Sequence, residues 1–232
     1  MKYLLFSLAL LPYTLFSQKH DYVWISGDSN TPNTTSHGGI IIDFNQQPLT
    51  AQYNYREMNM FVCNASICDS SGQLLAYTNG CHIAGANDEV LENGEMINPG
   101  LAWQVSCIQN ADGYASGYQS AFFLARPDTQ GIYYLFHKQV KLFLNPISVY
   151  SEALLISILD MHQNAGQGKV IEKNVALLRD TLAFGELLAT KHANGKDWWV
   201  VTPRRNSNTF YVLKFTKDGI VDTLRQTIGI KP

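Results

Sequence analysis

Pro127-Asp128-Thr129-Gln130-Gly131-Ile132-Tyr133-Tyr134-Leu135-Phe136 sets a polar turn directly before a strand dense in aromatic side chains. Two other stretches follow the same order: Asp69-Ser70-Ser71-Gly72 runs into Leu74-Leu75-Ala76-Tyr77, and His192-Ala193-Asn194-Gly195 runs into Asp197-Trp198-Trp199-Val200-Val201. Asn, Asp and Gly tolerate the tight backbone of a turn, whereas aromatic and β-branched residues suit a pleated, buried strand. Copies roughly 60 residues apart fit an architecture in which one antiparallel sheet is repeated about an axis.

Working outward, extended segments follow one another with turn residues between them. Tyr22 to Ile25 and Gly39 to Phe44 read as strands separated by the turn-forming run Gly27 to Gly38. The first repeat continues through Asn64 to Asp69, Gln73 to Thr78, the hairpin signal Asn79-Gly80, and Cys81 to Ala84. The second uses Ser120 to Leu124, Ile132 to His137, Ala153 to Asp160 and Lys169 to Glu172; Lys138 to Ser151 has no clear reading. The third uses Glu186 to Lys191, Asp197 to Thr202, Thr209 to Phe215 and Ile220 to Thr223. Helical periodicity is nearly absent, and the best helical window, Val149 to Leu159, is as rich in β-branched residues as a strand. The expectation is an all-β chain of about three four-stranded antiparallel propeller-type blades, with repeats at roughly 36–100, 119–182 and 183–232. A closed propeller needs at least about four blades, so the sequence reads as an incomplete one, with open blade faces able to self-associate.

The amino terminus reads separately. Met1-Lys2 is basic, Tyr3 to Phe16 is an almost unbroken apolar run, and Ser17 precedes Gln18, the pattern of a signal peptide over 1–17. About 14 apolar residues at about 1.5 Å each reach only about 21 Å, short of the roughly 30 Å hydrocarbon core, so no stable membrane span is expected. The expected location is secreted or cell-surface, with residues 18–232 forming the repeat domain. Charged residues make up 16% of the chain and the net charge is −2. Lys and Arg are scattered apart from Arg204-Arg205, so nucleic acid is not an expected partner.

Export would place the four cysteines in an oxidising compartment. Cys63 and Cys68 are five apart, which puts them on opposite faces of one strand. Cys81 and Cys107 flank one loop-rich stretch and are the preferred disulfide, with unpaired buried thiols as the competing reading. The spacings lack the paired short hooks of a zinc site, and no metal or cofactor is expected. Asp69, Asp88, Asp160, Asp197 and Asp218 fall at turn positions, where the side chain bonds its own backbone. His137, His162 and His192 fall near strand ends or turns. The loop Asn164 to Gly168 lacks the acidic ladder of a calcium site. No Gly-x-Ser-x-Gly elbow, His-Glu-x-x-His pair or phosphate-cradling loop is present, so no catalytic residue is assigned. In Trp198-Trp199, Tyr133-Tyr134 and Phe122-Phe123, neighbouring side chains point to opposite faces, which favours packing over a sugar platform.

The stretches Asn64 to Gly80, Ile158-Leu159-Asp160-Met161 and Lys191 to Val200 resemble the amino-terminal blades of secreted β-propeller proteins of Bacteroidota, of the WD40-like or YVTN-like kind. The Leu-Phe-Ser-Gln end of the signal segment resembles theirs too. The resemblance spans nearly all of the mature chain, implies a propeller often followed by a type IX sorting domain, and brings no catalytic residues. It implies a secreted structural or binding module whose loop ends contact protein or glycan. The second reading is the amino-terminal part of a secreted propeller hydrolase acting on glycans, with its catalytic residues outside this chain.

Overall fold

The computed structural model describes residues 18–27, 39–60, 62–110 and 113–231. The stretch 1–17 read as a signal peptide, most of the turn-forming run Gly27 to Gly38, and Phe61 lie outside them. The described residues form four antiparallel sheets, each a simple meander of consecutive strands. The first holds β1 (Val23–Ser26), β2 (Ile40–Asp43) and β3 (Thr50–Tyr53); the second holds β4 (Ala65–Cys68), β5 (Leu74–Thr78) and β6 (Ile83–Gly85). The third holds β7 (Ala121–Ala125), β8 (Ile132–Leu144), β9 (Ile147–Asp160) and β10 (Lys169–Leu182). The fourth holds β11 (Leu188–Lys191), β12 (Trp198–Pro203), β13 (Thr209–Thr216) and β14 (Gly219–Thr227).

The all-β reading holds, and the unit count changes from about three to four. What reads as one first repeat, at 36–100, contains parts of two three-stranded sheets. The extra strand, β3, is Thr-Ala-Gln-Tyr with three exposed positions, so it carries no apolar alternation to announce it. Lys138 to Ser151 is the far half of a long β8–β9 hairpin that runs beyond β7 and turns at Asn145-Pro146.

The sheets stack in chain order, each pair enclosing a core. Val23 and Ile25 of the first sheet meet Cys68, Tyr77 and Ala84 of the second. Ile67, Ala76 and Ile83 of the second share a core with Phe123, Tyr133, Leu135 and Leu159 of the third. The third sheet's other face brings Leu124, Tyr134, Phe136 and Ile158 onto Val200, Tyr211, Leu213 and Phe215 of the fourth. Alternation in β8 explains its composition: Tyr133 and Leu135 enter one core, Tyr134 and Phe136 the other. A strand buried on both faces is apolar at nearly every position, and the aromatic phrase is that signature. The first strands also pack side by side, β1 on β4 and β4 on β7.

Candidate functional site

Between β6 and β7 the chain leaves the sheets for an excursion over residues 86–120, and this excursion builds the cleft. It first runs along the outer edge of β10, where Val170 N–H donates to the Glu92 carbonyl at 2.9 Å and Asn93 Nδ2 donates to the Val170 carbonyl at 2.8 Å. It then forms one helical stretch, Leu101–Trp103 continuing as the wider turn Gln104–Gln109. The cleft of about 260 Å³ lies between this stretch, the connection before β4 and the β5–β6 turn. β5 runs antiparallel to β4, so its turn into β6 emerges at the end where the connection from β3 arrives.

The floor is fixed by the β5–β6 turn. Asn79 Oδ1 accepts the Cys81 N–H at 3.0 Å while Asn79 Nδ2 donates to the Asn59 carbonyl at 3.0 Å. The Thr78 hydroxyl donates to the His82 carbonyl at 2.6 Å and accepts the Gly80 N–H at 2.9 Å. Gly80 has φ +80°, and a Cβ there would sit 2.8 Å from Tyr114 Cβ and 3.0 Å from Cys63 Sγ, so only glycine fits. The Cys81–Cys107 disulfide, with Cα atoms 5.6 Å apart, ties this turn to the helical stretch. Trp103 Nε1 adds a 3.0 Å bond to the Cys81 carbonyl, which also accepts the Ile97 N–H at 2.9 Å.

The rim is apolar and open. Val90, Met96 and Ile108 are 48%, 47% and 64% exposed, and Trp103 and Met58 line the interior. Burial pushes the His82 imidazole below its ordinary value, so it is neutral at physiological pH. Glu95 accepts from Lys173 Nζ at 3.1 Å, and its carboxyl is held low first by its own backbone N–H, with Lys173 adding to that. The cleft can therefore take an apolar side chain against Trp103, Met96 and Ile108, above a floor that holds Asn59 and Asn79 and beside the Glu95 carboxylate.

The residues singled out from sequence mostly serve turns and packing. Asp69 Oδ1 accepts the Ser71 and Gln73 N–H groups at 2.8 and 3.0 Å; burial alone would raise its carboxyl, but these bonds outweigh it and hold it low. Asp160 accepts the His162 N–H at 2.9 Å, which is the main reason its carboxyl is held low. Asp197 accepts Asn194 Nδ2 at 2.8 Å across its turn, and Asp218 N–H donates to Thr216 Oγ1 at 3.1 Å. Asp88 pairs with the buried Arg56 and accepts the Tyr77 hydroxyl at 2.8 Å, a tie between elements rather than a local turn bond. His162 is exposed beside Asp160, and His192 packs on Trp199 with ring centroids 5.2 Å apart. Asn164 to Gly168 closes on itself through backbone bonds from Gly166 and Gly168 to the Gln163 carbonyl. Cys63 and Cys68 are buried thiols, burial pushing the latter up to about 11. Among the described residues, no group of three or more His, Cys, Asp or Glu side chains is arranged to hold a metal.

His137 departs from its sequence reading. It lies inside β8, fully buried, because the strand continues seven residues past it to Leu144. Its Nδ1 is 2.6 Å from Asn98 Oδ1 and its Nε2 is 3.0 Å from Ser157 Oγ. An amide oxygen only accepts, so Nδ1 carries the proton. Burial pushes the imidazole down to about 3, leaving Nε2 to accept from the Ser157 hydroxyl. Asn174 closes the ring by donating its N–H to Ser157 Oγ at 3.1 Å and accepting the Asn98 N–H at 3.0 Å. This satisfied network fastens the excursion to the third sheet.

Met96, Trp103 and Ile108 were not anticipated as cleft residues. One usable signal was present: Trp103 and Cys107 are four apart, which on a helix places ring and sulfur on one face. Comparison with family models, curated proteins and solved structures gives no match. Among the described residues, no helix is long and apolar enough to cross a membrane.

Proposed function

We propose that the chain is a secreted or cell-surface β-propeller-type module, related to the Bacteroidota proteins it resembles, that binds a protein partner through the cleft beside Trp103. The observation that carries the binding role is an apolar cleft with a half-exposed rim, held open by a disulfide and a dense set of turn bonds. Pre-organisation of this kind favours binding because little is left to order when a ligand arrives. The stacked meanders, with the first strands of the first three sheets adjacent, support the propeller-type reading. The apolar surface of Val90, Met96, Trp103 and Ile108 suits a Leu, Met or aromatic side chain of a partner loop, with the polar floor left to bond that loop's backbone.

The test is titration of residues 18–232 with a peptide panel carrying single Leu, Met, Phe or Trp anchors, beside an oligosaccharide panel, read by calorimetry. The reading predicts saturable peptide binding that weakens roughly tenfold or more in Ile108→Asp, which places a charge at the rim. Binding confined to oligosaccharides, or peptide binding indifferent to Ile108→Asp, overturns it. Export is checked by mature protein beginning at Gln18 in the culture medium or on the cell surface.

A further inference from the structure

The β8–β9 hairpin outruns its neighbours in the third sheet. β7 ends against His137 of β8, and β10 ends against Ser151 of β9, so the four pairs from Lys141 with Tyr150 to Leu144 with Ile147 form a two-stranded arm. At about 3.4 Å per residue the arm is roughly 14 Å long. Leu142 and Val149 share one of its faces and pack on the core between the second and third sheets. Leu144 and Ile147 continue that face one step further, past the core, and are 59% and 81% exposed. Asn145-Pro146 turns between them. On the other face Phe143 is 44% exposed, its ring stacked on that of Tyr150 with centroids 6.0 Å apart. The base is fixed by Arg205, whose Nη1 donates to the Val149 carbonyl at 2.7 Å. Phe143 to Ser148 are exposed throughout, and Phe, Leu, Pro and Ile supply most of that run. Turns that meet water are built from polar residues, whereas an exposed apolar cluster marks a contact surface.

We propose that this tip dips into the surface of a lipid bilayer bearing anionic headgroups, as a reversible peripheral contact. A bilayer receives a convex apolar tip without a matching cavity, whereas a protein partner has to supply one. The charges are layered to suit. From Lys141 to Ser151 the arm holds no carboxylate, and Lys141 is its one charged group. Lys141 stands three residues behind Leu144, and Arg205 bonds the carbonyl two residues behind Ile147, so the cations sit about 10 Å and about 7 Å back from the tip. Apolar faces at such interfaces sink about 5–10 Å, which puts Leu144 and Ile147 at the acyl boundary, the Phe143–Tyr150 stack at the interface and the cations among the headgroup phosphates. The nearby carboxylates lie further back: Glu152 is 3.8 Å from Lys141 at the base of the arm, and Asp180 is 3.2 Å from Arg204 in β10. A small apolar tip is a weak anchor by itself, and the cations supply the second signal that lasting attachment needs.

The test is co-sedimentation of residues 18–232 with phosphatidylcholine vesicles, with and without phosphatidylglycerol, at low and high salt. Expected is binding that phosphatidylglycerol strengthens and salt weakens. Leu144→Ser/Ile147→Ser should lower the partition by roughly tenfold or more. Lys141→Gln/Arg205→Gln should lose the gain from phosphatidylglycerol while keeping the weaker binding to phosphatidylcholine. The cleft takes no part in this contact, so Ile108→Asp should bind vesicles as the parent does. Absence of vesicle binding at both compositions, a tip variant that binds as the parent does, or an Ile108→Asp variant as impaired as the tip variant each overturns it. Self-association without vesicles that is lost in the tip variant assigns the tip to a protein contact instead and overturns it too. Far-UV circular dichroism shows whether the sheets persist; should the double tip variant unfold, Ile147→Ser at the most exposed position of the arm replaces it.

Discussion

At the scale of single residues, the buried histidine sets a pH dependence. His137 has an ordinary value of 6.5 and a folded value pushed down to about 3, so the folded state prefers the neutral ring. Its contribution to stability is fully present above pH 6.5 and is lost as pH falls from there toward about 3, because the unfolded chain takes up a proton that the folded one refuses. The folding equilibrium should weaken by up to roughly tenfold per pH unit through this window. Urea titrations at successive pH values should show the parent losing stability between pH 6.5 and 4.5 more steeply than His137→Gln, which keeps a hydrogen-bonding side chain but does not titrate. Equal slopes for parent and variant would contradict the neutral assignment. The sequence showed the residue but not its role, because strand length past His137 depends on a turn at Asn145-Pro146 that pairing alone reveals.

At the scale of elements, the Cys81–Cys107 bond joins a three-stranded sheet to a short helical stretch whose own hydrogen bonds are few. Helices this short do not persist without tertiary support. Closing a loop of 26 residues is worth about 3.5 kcal/mol in the chain-entropy account, so Cys81→Ala/Cys107→Ala should lower unfolding free energy by about that much. Hydrogen exchange should rise first over Leu101 to Gln109 and only slightly in β8 and β9. A uniform rise would mean that the bond holds the whole fold rather than the cleft. Most strands were legible because they carry apolar residues at nearly every position; β3 and this helical stretch were not. The first is an exposed polar strand, and the second lacks both a capping side chain and a long periodic pattern. The cleft was illegible for the same reason, since its walls come from the excursion and the turns rather than from strands.

At the scale of the whole molecule, four meanders stacked in chain order explain why aromatics come in adjacent pairs. One member of Tyr133-Tyr134 enters the core shared with the second sheet, and the other enters the core shared with the fourth. Trp198 faces the third sheet, while Trp199 lies on the outward face. Repetition was visible in the sequence; the number of sheets was not, because the first sheet carries no copy of the aromatic phrase. The stacking order is tested most directly by nuclear Overhauser contacts between aromatic rings of different sheets. The Phe215 ring is centred 4.8 Å from that of Tyr134 and 5.3 Å from that of Phe136, so strong cross-peaks are expected between Phe215 and both. Their absence, in a spectrum that retains the β12–β13 pairing contacts, would contradict the stack.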